Sequence, residues 1–216
     1  MLPLKYISIN FSREYMKYRI THLVTIFCLL LASSAQADSK EFLANVKKIG
    51  AALVAPQGYK PVPATANDTI EYGYALEHPE KKYQLRYAIK KNSKAISSES
   101  ADIEELFKEE FEALARKISG STEPIITGSL DAHEMPKFQG EAARYVLLKN
   151  ISSQFGGPYK DCFIVGVARK KEGQLYIFHL AENYDDVMDI VKKNLYSLRF
   201  INTTVNAGSI YQPENP

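Results

Sequence analysis

The stretch Ile70-Glu71-Tyr72-Gly73-Tyr74-Ala75-Leu76-Glu77-His78-Pro79-Glu80-Lys81-Lys82-Tyr83-Gln84-Leu85-Arg86-Tyr87-Ala88-Ile89 decides the fold. Ile70, Tyr72, Tyr74 and Leu76 fall on one side of an extended chain, with Glu71, Gly73 and Glu77 on the other. That period of two is the mark of a half-buried strand. His78-Pro79-Glu80-Lys81 then breaks the pattern. Tyr83, Leu85, Tyr87 and Ile89 restart it against Gln84, Arg86 and Lys90, which predicts an antiparallel hairpin over 70–90.

Toward the C-terminus the period changes to that of a helix. Asp102 and Glu105 form a capping box ahead of Ile103, Leu106, Phe107, Phe111, Leu114 and Ile118, and Arg116, Lys117 and Gly120 supply the stop signals. Four extended segments follow at 124–135, 138–150, 159–170 and 173–181, separated by glycines. The last two read as a hairpin through Lys170-Lys171-Glu172-Gly173. Asn183 caps a further helix with Val187, Ile190, Val191 and Leu195 inward, and Ser197 to Phe200 close the domain. Before the first hairpin, Phe42, Val46, Ile49, Ala52 and Leu53 predict a leading helix over 40–54, stopped by Pro56 and Gly58. The order predicts an α+β domain: a mostly antiparallel sheet of about six strands flanked by two or three helices.

The amino terminus reads as an address. Lys17 and Arg19 precede the apolar run from Leu23 to Leu31, which ends at Ala35-Gln36-Ala37. Charged start, short apolar core and small residues before the cut make a secretory signal peptide over 1–37. The run is too short for a membrane-spanning helix, so no stable insertion is expected after cleavage. Met16 stands directly before this pattern and is read as the true start, with 1–15 upstream of it. Removing 37 of the 216 residues leaves 179, a single-domain size, so one domain is expected over 38–201 and a flexible Pro-containing tail over 202–216. The expected location is the periplasm in a bacterium and the extracellular space otherwise.

The whole chain carries 27 Lys plus Arg against 25 Asp plus Glu. A net charge of +2 gives no electrostatic ground for a nucleic-acid partner. The expected mature chain keeps one cysteine, Cys162, in the apolar run Phe163-Ile164-Val165, where it reads as a buried small hydrophobe.

Gly58-Tyr59-Lys60-Pro61 entering the first strand, the small pair Gly140 and Ala142 entering a long strand, and the ending Leu195-Tyr196-Ser197-Leu198-Arg199-Phe200 carry a family resemblance. Together with the order of elements over 57–201, they make the chain similar to the PsbP-like fold superfamily, an α/β/α sandwich. The superfamily includes the extrinsic PsbP proteins of photosystem II, DcrB-like bacterial envelope proteins and a small Ran-binding nuclear import protein. The resemblance implies a non-enzymatic binding or assembly role. The chain departs from the lipoproteins common among DcrB-like members, because Cys28 stands inside the apolar run rather than at its end.

No constellation of residues identifies a reaction. His133-Glu134 lacks a second His at ligand spacing, so neither a metal nor a cofactor is assigned. The sharpest enzymatic expectation is a Cys162 and His179 nucleophilic pair brought together by adjacent strands. Tyr72, Tyr74, Tyr83 and Tyr87 share faces with aliphatic residues and are the candidate ligand- or partner-binding residues, since a tyrosine joins an apolar body to a hydroxyl that needs a partner. The leading expectation is an exported binding or assembly-accessory protein whose partner is another envelope protein. A small-ligand carrier with a Tyr-lined cleft is the alternative, and a thiol-dependent hydrolase the third.

Overall fold

The computed structural model describes residues 39–64, 67–100 and 102–202. The signal peptide expected over 1–37, the expected start at Met16 and the tail beyond residue 202 lie outside the described residues.

Helix α1 covers 39–48. It is followed by β1 (Ala51–Leu53), β2 (Lys60–Val62), β3 (Tyr74–Glu77), β4 (Tyr83–Lys90), α2 (Ile103–Ser119), β5 (Gly128–Ser129) and α3 (Met135–Phe138). Then come β6 (Ala142–Leu148), α4 (Ser153–Gly156), β7 (Asp161–Arg169), β8 (Gly173–Ala181), a 3-10 turn (Tyr184–Val187), α5 (Met188–Asn194) and β9 (Leu198–Phe200). Seven strands make one antiparallel sheet in the order β2-β3-β4-β8-β7-β6-β5, and β1 pairs with β9 in a separate two-stranded ribbon. The fold is α+β.

The predicted α2 is present with its caps. Asp102 accepts the Glu105 N–H at 3.3 Å, and Gly120 closes the last turn at a φ of 70°. Phe107, Phe111, Ala115 and Ile118 are buried against β6 and β7. The landing site is Gly166 on β7. A Cβ there would stand 2.7 Å from Phe111 and 3.0 Å from Phe107, so a bare backbone is what lets the helix approach.

Several boundaries differ from the sequence reading. The leading helix stops at residue 48 rather than 54, because Ala51–Leu53 pairs with Leu198–Phe200. The first strand starts at Tyr74 rather than Ile70, so Tyr72 precedes the regular alternation. The extended segment at 124–135 contracts to Gly128–Ser129, and Met135–Phe138, with a proline in its first turn, is helical. Two short strands, β1 and β2, and two single-turn helices, α3 and α4, join the predicted set.

Two apolar clusters sandwich the large sheet. One, under α2, holds Phe107, Phe111, Cys162, Tyr176 and Phe178. The other holds Phe42 and Val46 of α1, Val191 of α5, Phe200 of β9, and Tyr83 and Tyr87 of β4.

Candidate functional site

Strand register places two rows of side chains across the face opposite α2. Leu76, Leu85, His179, Phe163 and Leu147 form one row. Tyr74, Tyr87, Ile177, Val165 and Tyr145 form the next. Leu76, Leu85, Tyr87 and Ile177 are buried in the second cluster, His179 is buried beside them, Tyr74 packs half-buried against that cluster, and exposure appears at the β6 end. Tyr145 and Leu147 are each 38% exposed, and Phe163 and Tyr184 are half-buried. The ring of Phe163 meets Tyr145 at 6.0 Å and Tyr184 at 5.6 Å. The result is an aromatic and aliphatic strip on an otherwise closed sheet.

Glycine and charge shape this strip. The Tyr145 ring lies over Gly128 of β5, where a Cβ would be 2.3 Å from the ring. Asp161 is buried at the other end, and its Oδ2 accepts from Lys149 Nζ at 2.7 Å and from the Tyr184 N–H at 2.9 Å. One carboxylate thus pins the start of the 3-10 turn to the sheet and neutralises the lysine at the rim. Apolar aromatic centres edged by paired charges are the usual anatomy of a protein interface.

The four tyrosines singled out in the sequence separate. Tyr83 and Tyr87 are fully buried in the second cluster, on the face opposite α2. The Tyr83 hydroxyl is hydrogen-bonded to His179 Nδ1 at 2.6 Å, and the Tyr87 hydroxyl donates to Ser197 Oγ at 3.1 Å. Burial pushes both phenols above their ordinary pKa. Tyr74 is half-buried between Phe42 and Tyr87, at ring distances of 6.1 and 6.2 Å. Tyr72 belongs to the α2 side, its ring stacked on the Arg86 guanidinium at 4.7 Å. The four do not form one surface.

The Cys162 and His179 pair does not form. Cys162 stands opposite Leu180 in the register, and His179 stands opposite Phe163. Alternation therefore sends the thiol to the α2 face and the imidazole to the other. Cys162 is enclosed, and burial raises its thiol pKa strongly. Burial lowers the His179 pKa to about 3, and its Nε2 has no hydrogen-bond partner among the described residues. Thiolate attack assisted by this histidine is excluded by the sheet between them. The thiol-dependent hydrolase expectation is overturned.

Tyr145, Leu147, Phe163 and Tyr184 were not singled out from sequence. The available signal was Tyr145 and Leu147 at alternate positions of the extended segment 138–150, with Lys149 just beyond them. Among the described residues, no group of three or more His, Cys, Asp and Glu could hold a metal ion. No helix among them is long and apolar enough to cross a membrane.

No family model matches the chain, and no curated protein matches it. Among solved structures, the solution structure of cyanobacterial PsbP (CyanoP) from Synechocystis sp. PCC 6803 is similar over 71% of this chain and 88% of that chain, with 15% identity and a TM-score of 0.39. A likeness at that level assigns the chain to no family, and the α+β architecture rests on this chain's own strand order and register.

Proposed function

We propose that this chain is an exported, non-enzymatic binding or assembly-accessory protein that engages another protein of the cell envelope through the strip of Tyr145, Leu147, Phe163 and Tyr184. The observation that carries the reading is the exposure of these side chains at one end of a sheet face whose remainder is closed. Tyrosine and phenylalanine lose little side-chain entropy on docking and bring large apolar area, which is why they anchor interfaces. The signal pattern over 1–37 supports export.

The test is Leu147→Glu. Leu147 makes no polar contact to lose, and a carboxylate in the centre of an apolar contact must be desolvated on binding. The variant is expected to fold normally and to lose the crosslinked envelope partner that the unaltered protein captures. Capture at undiminished yield would contradict the assigned surface.

A further inference from the structure

The two edges of the large sheet are finished differently. β2 closes one edge with Lys60 and Pro61, both exposed. A lysine and a residue without an N–H are the usual means of stopping another strand from adding. At the other edge β5 covers only part of β6. Gly128 pairs with Tyr145 and Ser129 with Arg144, and the Leu130 N–H donates to the Ala143 carbonyl at 3.3 Å. Val146, Leu147 and Leu148 pair with β7 alone.

The register fixes which backbone groups are left over. The Ala143 carbonyl faces β5, and residues two apart along a strand turn their N–H and C=O to the same side. Leu147 therefore presents both groups outward, and among the described residues neither has a hydrogen-bond partner on that side. The chain that would have continued β5 turns off toward α2. Thr127 Oγ1 donates to Glu112 Oε1 at 3.3 Å, and Ile125 packs on the α2 cluster. Ile126, between them, is 92% exposed, an apolar side chain in solvent beside the gap. Lys149, just past the strand, is held back on Asp161 of β7 at 2.7 Å rather than guarding the edge, and Arg144 pairs with Glu104 at 3.7 Å. The charges along this edge are already matched, so a segment lying against it needs none.

We propose that the partner is engaged by strand addition: an uncharged, extended segment of it lies beside β6 in line with β5 and exchanges hydrogen bonds with the Leu147 N–H and C=O. Every second side chain of that segment then falls on the face of Tyr145 and Leu147, so the segment carries apolar residues at alternate positions. The inference rests on the strip being the docking surface and adds the backbone of β6 to it.

The probe is a capped peptide of alternating valine and threonine, with a lysine at each end for solubility, titrated into the ¹⁵N-labelled protein lacking its expected signal peptide. The expected result is a saturable shift of the Leu147 amide peak and about tenfold slower exchange of that amide with solvent. The same peptide with proline in place of valine should give neither. Leu147→Pro removes the N–H, a change that an outward-facing edge position tolerates. Half-saturation, read at the Leu148 amide, is expected to need about fivefold more peptide in Leu147→Pro than in Leu147→Ala, the value of one backbone hydrogen bond. If Leu147→Pro does not fold, the α-hydroxy analogue of leucine at position 147, which lacks only the N–H, replaces it and is compared with the unaltered protein. Equal half-saturation, or shifts that leave the exchange of the Leu147 amide unchanged, would overturn strand addition. So would the absence of any shift at millimolar peptide. Loss of the envelope partner in Leu147→Glu reports on the surface alone, so the failure of strand addition and the failure of the docking surface are told apart.

Discussion

The two faces of the large sheet are closed by different means. On one, a helix of 17 residues, capped at both ends, lays four buried side chains over β6 and β7, with Gly166 leaving room for two of the rings, and Ile96, Ile151, Phe155 and Tyr159 complete the cover. On the other, α1, β9, the 3-10 turn and α5 each contribute one or two apolar residues. Helices this short depend on the sheet they pack against for stability. The pieces close the β4 and β8 region and leave Tyr145 and Leu147 on β6 partly exposed. Over β6 and β7 the face under α2 is closed by one long element, whereas the opposite face of the same strands is covered in short pieces and keeps apolar side chains available for another molecule.

The largest effects are expected on the closed face. Phe107→Ala and Phe111→Ala should each cost about 3–5 kcal/mol in chemical denaturation, the usual loss for emptying an aromatic core position. A cost below about 1 kcal/mol would mean that α2 does not pack where it is placed.

Next comes a pH effect on the other face. Burial holds the His179 pKa at about 3, while in the unfolded chain the imidazole protonates near its ordinary value of about 6.5. Between those values the unfolded state binds the extra proton. Stability is therefore fully present above about pH 6.5 and falls as pH drops, by up to about 1.4 kcal/mol per pH unit. Urea unfolding at stepped pH measures this slope, and His179→Phe, which cannot take the proton, should flatten it relative to the unaltered protein.

Gly166→Ala probes the close approach of helix and sheet. The new Cβ meets Phe111 and Phe107, and overpacking of this kind costs about 1–3 kcal/mol. A neutral result would show that the two rings can move aside. Smallest of all, Leu147→Glu should change stability by no more than about 0.5 kcal/mol while removing partner capture. A large loss of stability would place Leu147 in the core rather than on a docking surface.

Local pattern carried much of the fold. The period of two from Tyr83 to Lys90, the extended segment bounded by Gly173 and Ala181, and the Asp102 cap with the apolar spacing of three, four and seven in α2 match the observed elements closely. The ribbon of Ala51–Leu53 with Leu198–Phe200 was illegible, because three residues pairing with three others near the far end of the chain leave no local period. Tyr72 was placed on the wrong side because its alternation with Tyr74 was read through Gly73, where the regular strand has not begun. There a Cβ would meet the Phe42 ring at 2.5 Å, a contact between residues far apart in the sequence. The site was less legible than the fold. Tyr83, Tyr87, Tyr145 and Tyr184 look alike in sequence, and only the tertiary cover of the sheet separates the first two, fully buried, from the last two, partly open.

The central claim is that the open, β6 end of the sheet face opposite α2 is where a partner docks. A photo-crosslinking amino acid placed at position 147, and separately at Leu43 on the exposed side of α1, tests it in intact cells; the two native leucines are equally exposed at 38%. Position 147 is expected to give one discrete crosslinked protein and position 43 none. The same product from both positions, or none from position 147, would contradict it.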